Sequence, residues 1–127
     1  MRIISGLNKG KKLIMPNNKT TRPLKDMAKE SIFNILTHAK FINFHLKDSK
    51  ILDLFSGIGS FGLECLSRGS KKIYFIEKDN FSYNILKKNI KLTQMENKSV
   101  CFNLDVNTFL KKNKKKFDII FFDPPFK

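Results

Sequence analysis

Tryptophan is absent from this 127-residue chain, and cysteine and histidine occur only twice each. Cys65 and Cys101 lie far apart with no C-x-x-C, and His38 and His45 have no third ligand type beside them. This pattern excludes a disulfide scaffold and gives no expectation of a metal site, so the cysteines are assigned to core or surface roles. Long apolar runs are also missing. No window approaches the ~20 residues of a membrane span, and the opening MRIISGLNKG has no signal-peptide core, so a cytoplasmic protein is expected. Acidic residues are scarce, 11 against 25 basic, giving a net charge of +14. Such a balance points to a polyanionic partner held through phosphate contacts. Only Arg2, Arg22 and Arg68 of the basic set are arginine, and lysine, asparagine, isoleucine and phenylalanine together are what an AT-rich coding sequence would yield. Clustering on one face is what separates the two explanations.

The length fits one domain, with no internal repeat and no linker. Two β-like segments, RIISG (2–6) and KKLIM (11–15), flank Asn8 and Gly10 as a hairpin crowded with basic residues. A loop, PNNKTTRP (16–23), leads to a helix whose predicted buried face is Ala28, Ile32, Ile35, Leu36 and Ala39, ending before about Phe41. From Lys50 the period changes. KILDLF (50–55), KKIYFI (71–76), SVCFNL (99–104) and FDIIFF (117–122) are short apolar runs of the kind buried parallel strands require. Helical stretches over about 60–69, 79–95 and 105–113 separate them, with Asp79 as an N-cap and Phe81, Ile85, Leu86, Ile90, Leu92 and Met95 on the buried side. The alternation predicts an α/β fold with right-handed crossovers. An extension over 1–49 then precedes a cofactor-binding part over 50–127.

The stretch ILDLFSGIGSFGLE (51–64) sets three glycines, Gly57, Gly59 and Gly62, between the first strand and its helix. Ligands of open α/β sheets sit at this end of the strands, and a helix N-terminus near Ser60 suits a negative group. Glu77 ends the next strand, where a carboxylate can accept ribose hydroxyls. Up to this point a nicotinamide dinucleotide fits as well as any other ligand. Asp53, four residues before Gly57, favours a different cofactor. It turns a negative charge into the site, which a pyrophosphate would oppose but the ammonium of S-adenosylmethionine would satisfy. Asp105 follows the third strand, placed for the exocyclic amine of adenine. Taken singly, each acid could be a helix cap or a strand end.

FFDPPF (121–126) closes the fourth strand. Asp123 and the carbonyl of Pro124 can accept the two hydrogens of an amine conjugated to a heteroaromatic ring, turning its lone pair towards a methyl donor. Pro125 helps fix the backbone, and Phe126 can stack on the base.

These segments, with TRPLKDMAKESIFNIL (21–36), DLFSGIGSFGLECLSRG (53–69) and IEKD (76–79), resemble the bacterial 16S ribosomal RNA guanine-N2 methyltransferases over essentially the whole chain. The resemblance implies a Rossmann-like class I methyltransferase sheet, its first four parallel strands preceded by the hairpin and helix. It further implies S-adenosylmethionine held by Asp53, Phe55, Gly57, Gly59, Glu77 and Asp105, and guanine held by Asp123, Pro124, Pro125 and Phe126. Ribosomal RNA or a small-subunit assembly intermediate is the implied partner, met by Arg2, Lys9, Lys11, Lys12 and Arg22. Leu24 stands where the family usually has threonine. The family also continues past D-P-P-F with further strands, so a fragment or a shortened protein with impaired turnover is expected. A DNA adenine or cytosine amino-methyltransferase shares the motif chemistry, and a non-catalytic RNA-binding remnant shares the charge. A dehydrogenase has no use for Asp53 or D-P-P-F.

Overall fold

The computed structural model describes residues 1–16, 23–38 and 46–124. Four strands, β1 (Lys50–Asp53), β2 (Lys72–Ile76), β3 (Ser99–Phe102) and β4 (Ile119–Phe121), form one sheet in the order β3-β2-β1-β4. Every pairing is parallel, with Asp53 level with Phe75 on one side and Phe121 on the other. Four helices accompany them: α1 (Pro23–His38), α2 (Ser60–Ser67), α3 (Asn80–Leu92) and α4 (Val106–Lys112). The predicted fold class is therefore the observed one. Its strands are shorter: β1 and β3 end two residues early, β2 begins one residue late and β4 loses residues at both ends.

Strand side chains alternate between two cores, as the pleat requires. Ile51, Ile73 and Phe75 meet Leu63 and Leu66 of α2, Leu86 and Ile90 of α3 and Phe33 of α1 on one face. On the other, Leu52, Tyr74 and Ile76 pack with Phe109 of α4. Chain direction accounts for this division: β1, β2 and β3 are built outward with α2 and α3 on one face, and α4 returns the chain across the other to place β4 beside β1. The switch point of the sheet thus falls between β1 and β4, where a crevice for ligand forms.

Gly62 sits where α2 crosses β2, and a Cβ there would lie 2.3 Å from the Phe75 ring. Gly62→Ala is therefore expected to cost about 1–3 kcal/mol through overpacking, read as a lower denaturant midpoint. An unchanged midpoint would show that α2 has room to lift.

The expected hairpin is present in minimal form. One antiparallel bridge, Arg2 with Lys12, and bonds from Ile3, Gly10 and Leu13 N–H to the Lys11, Ile3 and Met1 carbonyls join its limbs, which do not extend into full strands. Other amides of the arm bond to α2: Ile4 and Ser5 N–H donate to the Glu64 carboxylate at 2.8 and 3.0 Å, Leu7 N–H to the Ser67 carbonyl and Asn8 N–H to Ser67 Oγ. The segment is an arm seated on α2. In α1 the buried side centres on Phe33, while Ala28 and Ile35 are exposed and Ile32 and Leu36 half-buried. Phe33 wins because it stacks on Phe61, ring centroids 5.2 Å apart, and lies under the Arg68 guanidinium at 4.3 Å. Ala39 and Phe41 lie outside the described residues. In α3, Asp79 caps as expected and Ile85, Leu86 and Ile90 are buried, but Phe81 and Leu92 face outward.

Candidate functional site

The carboxyl ends of the four strands bring Asp53, Glu77, Asp105 and Asp123 to one end of the sheet. Asp53 is almost fully buried, and its Oδ1 has no hydrogen-bond partner among the described residues. Burial pushes its carboxyl up to about 8, from an ordinary 3.8; the negative charges of Asp123 and Glu77 add to this, and the Phe55 backbone amide opposes it. Buried polar atoms are nearly always paired, so an orphan carboxylate oxygen at a strand end marks a place for a donor the chain does not itself supply.

Glu77 is engaged by the loop it faces. Its Oε1 accepts the Gly57 N–H at 2.8 Å and its Oε2 the Asp79 N–H at 2.9 Å. Each oxygen retains a lone pair, so contacts to a ligand would add to these bonds. Asn103, unremarked in the sequence, fixes the backbone below by donating to the carbonyl of Glu77 at 2.9 Å and to that of Lys78 at 3.3 Å. Asp105 caps α4, accepting from Thr108 N–H at 2.7 Å and Thr108 Oγ1 at 3.1 Å, and those bonds hold its carboxyl below the usual range. Its demonstrated work is that of a cap.

The glycines divide the labour. Gly57 has φ +55° with open space where a Cβ would project, so a ligand can approach its backbone, while Gly59 caps α2 at φ +93°. Gly62 serves the packing described above. Phe55, half-buried, meets exposed Phe122 edge to face at 5.2 Å. Asp123 and Pro124 are exposed beside this pair in the chain. Pro125, Phe126 and Arg22 lie outside the described residues. Arg2, Lys9, Lys11 and Lys12 are all exposed on the arm.

The sequence reading missed the polar anchor of that arm. Glu64 is fully buried between Lys29 Nζ at 3.3 Å and Arg68 Nε at 2.8 Å, and it also takes the two arm amides. A glutamate amid Phe61, Leu63, Cys65 and Leu66 was the available signal, since such a position is buried and needs partners.

A parallel sheet with its switch point beside an acid-ended β1, a glycine loop and a second acid at the end of β2 is the Rossmann-like sheet of the methyltransferases. The chain belongs to the family described as "Conserved hypothetical protein 95", whose model matches residues 1–127. It is 40% identical to the Haemophilus influenzae protein named "Ribosomal RNA small subunit methyltransferase D", over 99% of this chain and 64% of that protein. The Escherichia coli K12 protein of the same name is 35% identical, with 100% of this chain and 61% of that protein covered. The solved Escherichia coli structure "Putative methyltransferase yhhF" superposes with a TM-score of 0.84 at 33% identity, covering 100% of this chain and 65% of that one. The chain thus spans a little under two thirds of these relatives. No helix among the described residues is long and apolar enough to cross a membrane.

Proposed function

We propose that this chain carries the cofactor- and base-binding part of an S-adenosylmethionine-dependent methyltransferase that modifies the N2 amine of a guanine in 16S ribosomal RNA, in the cytoplasm. The observation that carries the reading is the buried, unpaired Oδ1 of Asp53 at the end of β1, in the field of the Glu77 that holds Gly57. An ammonium answers that oxygen, and the open space before Gly57 leaves room for the rest of an amino-acid moiety. Glu77 has lone pairs left for ribose hydroxyls, Asp105 for the adenine amine, and Phe55 offers an apolar wall. When bound, S-adenosylmethionine supplies an electrophilic methyl group. The chain's own part is positioning: Asp123 and the Pro124 carbonyl accept the amine hydrogens, Pro125 stiffens the turn and Phe126 stacks on the base.

Calorimetric titration with S-adenosylmethionine, followed by methylation of 16S ribosomal RNA from cells lacking the activity and mapping of the product, tests this. Cofactor binding by this chain is expected, and label on a guanine N2 from the full-length protein; label on DNA adenine or cytosine when DNA is offered beside the RNA would favour the motif-sharing rival. The arm supports the RNA substrate, because its four cations project from a surface fixed to α2. Neutralising Arg2, Lys9, Lys11 and Lys12 together is expected to flatten the logarithmic salt dependence of RNA binding by up to about three to four in slope, with cofactor affinity unchanged. A slope that does not move would return those residues to coding bias.

A further inference from the structure

Two buried polar side chains each bond both to the arm and to the glycine loop. Asn89 of α3 is fully buried; its Nδ2 donates to the Ile14 carbonyl and to the Ile58 carbonyl, both at 3.0 Å, while its Oδ1 accepts the Ile14 N–H at 2.6 Å. The amide's orientation is thus set by the Ile14 N–H, and both its hydrogens are used. Lys29 of α1 is also buried, and its Nζ donates to the Arg2 carbonyl at 3.0 Å and to Ser60 Oγ at 3.1 Å, besides pairing with Glu64.

The placement of the four contacted residues is specific. Ile58 and Ser60 flank Gly59, the left-handed residue on which the loop turns into α2. Arg2 and Ile14 lie on the two limbs of the arm, beside the Arg2–Lys12 bridge and the Leu13 N–H to Met1 carbonyl bond that join those limbs. Both sides of the turn are therefore tied to the element that bears the exposed cations. Apolar packing alone could slide; hydrogen bonds from buried groups are directional and costly to leave unmade.

We propose that Asn89 and Lys29 are positioning residues that couple the two ligands of the proposed function: RNA fixed on the arm holds the glycine loop in its binding shape, so RNA and S-adenosylmethionine tighten each other's binding. The inference rests on that functional reading. The coupling is reciprocal by linkage, and its sign is positive because an ordered arm secures the same bonds that order the loop.

The test measures the dissociation constant of S-adenosylmethionine by calorimetry with and without a saturating 16S ribosomal RNA transcript, and takes the ratio. Ser60→Ala severs the loop end of the Lys29 tie while sparing its bonds to Glu64 and Arg2. Asn89→Leu removes the other tie, with its melting temperature recorded alongside. The ratio is the readout because a uniform loss of affinity or stability does not change it. A ratio of about five or more is expected in the wild type, falling towards one in each variant. A wild-type ratio of one or below, or a ratio kept by both variants, overturns the coupling. A ratio kept by one variant removes that tie from it. If Asn89→Leu fails to fold, Ser60→Ala alone decides. Absence of cofactor binding with or without RNA is a distinct result that rejects the functional reading itself, and the coupling with it.

Discussion

Asp53→Asn is expected to bind S-adenosylmethionine about 2–5 kcal/mol more weakly and, without ligand, to melt at a higher temperature than the native chain near neutral pH. Both effects come from the same carboxyl. Unfolded, it is charged above about 4; folded, burial holds its proton on until about 8. Between those values the native state carries the extra proton, so stability falls as pH rises through the window and the loss is complete above the folded value. Asparagine has no proton to lose, and the variant's advantage should grow from about pH 5 to about pH 8. An ammonium ligand reverses the balance by favouring the carboxylate, so native affinity should rise with pH over the same range. Melts across this range, with titrations beside them, check the pair. A variant less stable at every pH with native affinity would show Asp53 to be a core residue only.

Asp123→Ala, made in the full-length protein, is expected to slow single-turnover methyl transfer to 16S ribosomal RNA by about two to three powers of ten. Asp123 is exposed just past the end of β4, so its removal is expected to spare the fold. Its charge also raises the Asp53 carboxyl, and losing it should leave cofactor affinity equal or slightly better. A rate within threefold of native, or a parallel loss of cofactor binding, would take Asp123 out of the base-positioning role.

Much of the framework could be read from sequence because strand and cap signals are local. Four apolar runs gave four strands, and the acid before α3 was its cap. The strand-end acids were legible as a group, but not how each is used: Asp105 and Glu77 spend bonds on backbone amides that only the folded turns present. The arm's hairpin was legible from its alternation, but nothing within residues 2–15 reveals that Glu64 and Ser67 will take four of its amides. Asn89 was invisible for the same reason. A polar residue at that helix position looks solvent-facing until the arm is laid over it. In α1, several apolar residues competed for the buried stripe, and the choice fell to Phe33 through the Phe61 ring of α2 and the Arg68 guanidinium at its end.

The arm's seat lies far downstream of the arm itself: Ile4 reaches Glu64 and Ile14 reaches Asn89, separations of 60 and 75 residues. Contacts this distant are made late in folding. During synthesis the cationic first residues emerge with no surface to dock on, and they gain one only when α2 and α3 have left the ribosome and packed on β1 and β2. A nascent chain therefore carries this cationic segment in an unassembled form until the glycine loop and the helices that seat it have also been made.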